Sequence, residues 1–236
     1  MSDFDRNAAA FPGAARTVAV DAGLRAHMIR VYNYMAGGVA LTGLVAYFTN
    51  AYFGQALHGS PLMWVLIFAP LGLVFFLSWR IESLSVSTAR LLFFIYAALL
   101  GASLSVIFAV YTDASITRVF FISAAAFGGL SLWGYMTQRD LTGMGSFLMM
   151  GLIGIIIASL VNIFLKSSGL DWIISVIGVL VFAGLTAYDT QKIKEMYNAY
   201  DDGAVSGRKA VMGALSLYLD FINLFLMLLR IFGARR

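Results

Sequence analysis

Two acids stand inside sequence that is otherwise apolar enough for lipid. Asp220 lies in the middle of ALSLYLDFINLFLMLL, residues 214–229, and Asp189 closes DWIISVIGVLVFAGLTAYD, residues 171–189. A carboxylate inside a membrane span costs roughly 2.5–3.5 kcal/mol on insertion scales, and such groups usually face a bundle interior or a water-filled path. Ser216 and Asn223 stand four residues before and three after Asp220, so the three share one helical face, while the rest of the run is Leu, Phe, Ile and Met. That polar stripe belongs at the centre of a bundle, lining a cavity, with Gly213 easing close approach. Two carboxyls a few ångströms apart cannot easily both ionise, so a facing Asp189–Asp220 pair shares a proton and senses pH. The plainer alternative makes Asp189 an interfacial acid beside Lys192 and Lys194, and Asp220 a hydrogen-bonded core group.

The elements that must position these acids are membrane helices. Of the 236 residues, 61% are hydrophobic and 12% charged, and the mean hydropathy is +0.85, far from soluble composition. Apolar runs of roughly 20 residues, the length that crosses hydrocarbon, recur near Ile29–Phe48, Pro61–Trp79, Leu91–Tyr111, Val119–Met136, Ser146–Leu165, Trp172–Asp189 and Val211–Phe232. The expected fold is all-α: a polytopic membrane protein, one seven-transmembrane-helix bundle over residues 29–236, preceded by a flexible polar tail over residues 1–28.

Basic residues set the direction. Only Arg118, Lys166, Arg230, Arg235 and Arg236 fall on the side of the odd loops and the C-terminus, and the other eleven lie on the opposite side. The positive-inside rule then places the N-terminus in the cytoplasm and the C-terminus outside. A re-entrant last span would instead bring both ends to the cytoplasm. The net charge of +4 is explained by this topology, so nucleic acid is not an expected partner.

Several chemistries are disfavoured. The chain has no cysteine, which removes thiol catalysis and cysteine metal sites. Its two histidines, His27 and His58, are far apart and form no His-Glu-x-x-His zinc motif. The last span has no lysine for a retinal Schiff base. An intramembrane aspartyl protease would also place acids in successive spans, but Asp220 sits in Tyr-Leu-Asp-Phe without the glycine-flanked GxGD of those enzymes. No enzyme activity and no bound cofactor are expected. Ser159 and Asn162 are read as interhelical hydrogen-bonding groups, and Glu82 as solvated.

An internal echo links two of the spans. AFGGLSLWGYMTQRD ends the fourth and VFAGLTAYDTQKI the sixth, each closing on Tyr-x-Thr-Gln-basic, with Met136 in the register of Asp189. Either the two hairpins share an origin or the interface imposes similar anchors.

VFAGLTAYDTQKIKEMY and MGALSLYLDFINLFLMLLRIFG together resemble the Bax inhibitor family, also called the transmembrane Bax inhibitor motif family, in its bacterial branch. The resemblance implies seven helices with the last wrapped by the other six, in the inner membrane of a bacterium. It implies a calcium leak whose conductance depends on pH, with Asp189 and Asp220 as a proton-sharing latch at the cytoplasmic mouth and Arg80 as the nearest candidate to neutralise the pair. Calcium would be a permeant ion meeting the two aspartates transiently; membrane lipid, calcium and protons are the expected partners. A proton-coupled transporter and a regulator of another membrane protein remain the alternatives for the same residues.

Overall fold

The computed structural model describes the backbone of residues 12–57 and 60–236, and side chains from residue 21 onward except Gln55. The described residues are helical almost throughout: α1 Pro12–Leu57, α2 Pro61–Arg80, α3 Val86–Leu104, α4 Ile107–Val110, α5 Asp113–Met136, α6 Thr142–Leu165, α7 Ser168–Glu195 and α8 Gly203–Phe232. A 3-10 turn, Ile81–Ser83, follows α2. Proline opens α2 at a position where its missing N–H costs nothing. The side chains of Ser85, Thr112, Ser167 and Asp202 accept from the freed backbone amides that start α3, α5, α7 and α8. The sixth helix ends on Lys166 in the left-handed region, φ 50°, a common stop for a helix.

Among the described residues, six helical segments are long and apolar enough to cross a membrane: Pro61–Ser83, Val86–Val110, Asp113–Met136, Thr142–Leu165, Ser168–Glu195 and Gly203–Phe232. They match the second to seventh expected spans. The first expected span, Ile29–Phe48, is diluted by Arg30, Asn33, three tyrosines and three glycines and lies within the longer helix α1. The expected tail over residues 1–28 divides: residues 1–11 lie outside the described ones, and 12–28 are the first turns of α1, with His27 and Met28 buried.

Burial is graded across the spans. α8 is 72% buried in its apolar window, whereas α2 and α6 are each 11% buried and turn broad faces of Phe, Ile, Leu and Met outward. The principal neighbours of α8 are α7, α1, α5 and α3; α2 leans on α3 and α6 on α7. Phe93 and Tyr96 of α3 pack edge-on against the ring of Tyr218, which has no exposed surface. The Tyr218 hydroxyl meets Thr42 Oγ1 at 2.6 Å, and Thr42 donates to the Ala97 carbonyl at 2.8 Å, tying α8 to α1 and α3. Replacing Thr42 by valine leaves the buried Tyr218 hydroxyl unpaired and takes the second donor from the Ala97 carbonyl, with an expected cost of about 1–3 kcal/mol. Thermal unfolding in detergent checks this, and an unchanged midpoint would contradict it.

The two ends of the bundle are tied differently. At one end Arg236 bonds Asp113 and the Tyr111 carbonyl, Arg235 bridges Tyr111, and Arg230 pairs with Asp171. At the other, His27 of α1 lies against Tyr197 of the α7–α8 connection, Arg208 donates to the Leu84 carbonyl, and α7 is stitched to the α5–α6 connection through Gln191 and to the last turn of α5 through Lys194.

Candidate functional site

The register of α7 against α8 decides where the two acids meet. A Cβ on Gly213 would fall 3.1 Å from Ile193, and one on Gly178 would fall 2.8 Å from Met227. These two approaches fix the antiparallel pairing and put Asp189 and Asp220 on neighbouring turns. Side chains of an α-helix tilt toward its N-terminus. In antiparallel neighbours the tilts oppose, so Asp189 leans along α7 toward the middle of the bundle while Asp220 leans back to meet it. Their carboxyls are within hydrogen-bonding reach of each other. Asp220 is 5% exposed, and its Oδ2 has no partner among the described groups.

Asp189 is not at the end of its helix, as the sequence suggested. α7 continues to Glu195, and the polar residues that looked like an exit are helical because α5 ends early at Met136 and leaves groups for them to bond. The Gln191 side chain accepts from Leu141 N and donates to the Arg139 carbonyl, both at 2.8 Å. Lys194 donates to the Tyr135 carbonyl at 2.9 Å and lies over that ring. Lysines in the last turn also complement the helix dipole. Gln191→Leu strands one amide and one carbonyl; the expected loss is about 1–3 kcal/mol, read as a lower melting temperature that Gln191→Glu does not restore, because a carboxylate cannot donate to the Arg139 carbonyl.

Ser216 and Asn223 line the same cavity as the pair, together with Ser159 of α6. The Asn223 amide donates to the Leu219 carbonyl one turn back. Arg80 is not brought to the site. It is exposed at the end of α2, and α2 docks on α3 rather than on α8, so its charge is held away from the acids. The cation that acts on Asp189 is Lys192, one turn along its own helix. Asn162 serves locally, its Oδ1 accepting from Ser167 N to close α6. His27 is buried with both ring nitrogens unpartnered; His58 lies outside the described residues.

The sequence reading passed over a buried hydroxyl chain. Tyr32 of α1 bonds Ser131 of α5, Ser131 bonds Thr190 of α7, and Thr190 donates to the Thr186 carbonyl. Ser131 belongs to the echoed segment, which was the available signal. α5 and α7 also touch within that echo: Gly134 faces the Ala187 backbone, and these are equivalent positions when the two Tyr-x-Thr-Gln endings are aligned.

Residues 24–236 match the family described as "Inhibitor of apoptosis-promoting Bax1". The chain belongs to the Bax inhibitor family. The match takes in α1 from Leu24, the acid pair and all of α8. Among the family's bacterial members, the chain is 49% identical to the inner membrane protein YbhL of Escherichia coli over 231 residues, which is 96% of this chain and 99% of YbhL. An uncharacterized protein of Rickettsia prowazekii is 49% identical over 218 residues, 92% of each chain. One from Caulobacter vibrioides is 46% identical over 251 aligned positions, spanning both chains in full. It is therefore a membrane protein of the Bax inhibitor family, with the two acids facing each other in its interior.

Proposed function

We propose that this protein is a pH-sensitive calcium leak of the bacterial inner membrane, gated by Asp189 and Asp220. The observation that carries the reading is the meeting of these two carboxyls within hydrogen-bonding reach, deep in a bundle whose apolar helices face lipid. At lower pH one shared proton holds α7 to α8. As pH rises both acids ionise, repel, and the helices part. The charged group near the pair on α7 is Lys192; the residues of α6 that line the cavity include no titratable side chain, and on α8 the lining contributes only Asp220.

Calcium takes six to eight oxygen ligands when held tightly. Two carboxylates, the Asn223 amide and the Ser216 hydroxyl offer fewer, and among the described residues no group of three or more His, Cys, Asp or Glu is poised for a metal. Such a site suits an ion in transit. In this reading the protein acts as a conduit for a permeant ion rather than as an enzyme.

In this reading α1 is the first of seven spans and α8 is the central one. Support comes from the end-to-end contacts: the start of α1 meets the α7–α8 connection, while the residues after α8 bond the α4–α5 turn at the opposite end. The excess of Lys and Arg on the first of these ends supports a cytoplasmic position for it. The name of YbhL as an inner membrane protein supports the same membrane here.

Calcium uptake into proteoliposomes over about pH 5 to 8 tests the proposal, because that range brackets a shared carboxyl proton. Uptake rising with pH is expected. No uptake at any pH, or uptake indifferent to pH, overturns it.

A further inference from the structure

The cavity beside the acid pair opens on the apolar outer surface of the bundle. α6 leans on α7 and stands off α8, leaving a groove of about 530 Å³ between them. On the α6 wall Ile156, Leu160 and Ile163 are 52%, 55% and 64% exposed, so this wall faces the membrane rather than the protein. The groove runs along α8 from Ser216 to Met227, roughly 16 Å at the rise of an α-helix. Its deep wall is apolar, with Ile155, Phe182 and Leu185 buried. Its polar groups are Asp189, Asp220, Ser216, Asn223 and Ser159.

Charge at the polar end is one-sided. No Lys, Arg or His lines the groove, and Asp220, 5% exposed, lines it with a carboxyl whose enclosed Oδ2 meets no donor among the described groups. At lipid depth an unsatisfied polar group is expensive, because hydrocarbon supplies no partner. What the groove lacks is a cationic hydrogen-bond donor attached to something apolar.

We infer that the groove between α6, α7 and α8 binds a single-chain amphipathic amine that enters from the bilayer. Its ammonium sits on the Asp189–Asp220 pair and its hydrocarbon chain lies along α6. Charge-assisted hydrogen bonds to the carboxyls fix the head, and burial of the chain supplies the rest of the affinity. A phospholipid is disfavoured, since its phosphate would face two acids. Calcium would gain nothing from the apolar wall. The proposal uses the acids of the leak but needs no ion to pass, so the two readings fail separately.

The test uses the full chain in nanodiscs of amine-free phospholipid, with dodecylamine as the probe and dodecanol as its uncharged counterpart, read by native mass spectrometry and by thermal shift. One saturable dodecylamine per chain is expected, bound at least about tenfold more tightly than dodecanol. Asp220→Asn weakens it at least about tenfold. Ser159→Phe, which fills the groove without touching either acid, does the same and carries the test if the Asp220 variant fails to fold. Equal binding of amine and alcohol, or amine binding untouched by Ser159→Phe, overturns the inference. So does a protein dimer that Ser159→Phe dissociates and dodecylamine does not, since a second copy would then occupy the groove. Measured on the same samples, amine binding without calcium uptake sinks the leak and keeps this site, and uptake without amine binding does the reverse.

Discussion

Calcium uptake by the Asp220→Asn variant is expected to be low and flat in pH, and uptake by Asp220→Ala high and flat. The difference follows from what each side chain offers Asp189. In the proposed gate the bond between the two carboxyls needs a proton, so raising the pH removes the tie and adds a second negative charge beside the first. Within the titration range of a single shared proton, the open population rises on the order of tenfold per pH unit. Asparagine carries an N–H at every pH and bonds the Asp189 carboxylate permanently, which keeps α7 on α8. Alanine removes the tie and the repulsion together. Both variants should change by less than about twofold over the range in which the intact protein changes by tenfold or more. An Asp220→Asn protein that keeps the intact pH profile would rule the pair out as the gate.

Gly134→Ala should lower the melting temperature by roughly 2 to 12 °C, from overpacking of about 1–3 kcal/mol in a chain of this size. A Cβ at this position falls 2.3 Å from the Ala187 carbonyl oxygen and 2.8 Å from the Ala187 Cα. These are backbone atoms of α7, and they cannot move by changing a rotamer. The helices α5 and α7 must part, and Asp189, two residues beyond Ala187, moves with them. The same exchange at Gly128, in the same helix, meets nothing within 4 Å and should leave the melting temperature within a degree or two. Equal melting of the two variants would mean that the α5–α7 approach is looser than its geometry. Because Asp189 moves, Gly134→Ala should also weaken closure at low pH, a secondary effect readable in the uptake assay.

The parts of the site that were legible in the sequence are those whose signal is periodic. Ser216, Asp220 and Asn223 repeat at helical spacing inside Leu, Phe and Ile, and the structure lines them on one cavity. Asp189 was identified as a residue but misplaced in its helix, because TQKIKE has the polarity of an exit; it stays helical only since Gln191 and Lys194 find partners on a different segment. Such partners are tertiary and leave no local trace. Arg80 failed for a related reason. Its sequence position fits a helix end, but which neighbour α2 leans on is decided by packing; it leans on α3, and Arg80 does not line the cavity of the acids. The hydroxyl chain from Tyr32 to Thr190 was hidden by ordinariness: serine and threonine bond their own helices as readily as a neighbour, and Ser123 and Thr186 do that here. The first span was read from hydropathy alone, which gave no sign that the helix starts as early as Pro12.

The burial of α8 also imposes an order of events on biosynthesis. It is the most enclosed of the six apolar segments, yet the ribosome releases it after α1 to α7. Helices enter the membrane one after another, and domains form as their pieces emerge. Until residues 203–232 arrive, α1, α3, α5 and α7 have no partner on the faces they later give to α8, and Asp189 is in the membrane without the carboxyl that it will meet. The early helices therefore wait with those faces uncovered, held by contacts such as α1 with α3 and α5 with α7, and a ribosome that stalls before the final helix leaves behind an incomplete set of helices for quality-control proteases to clear.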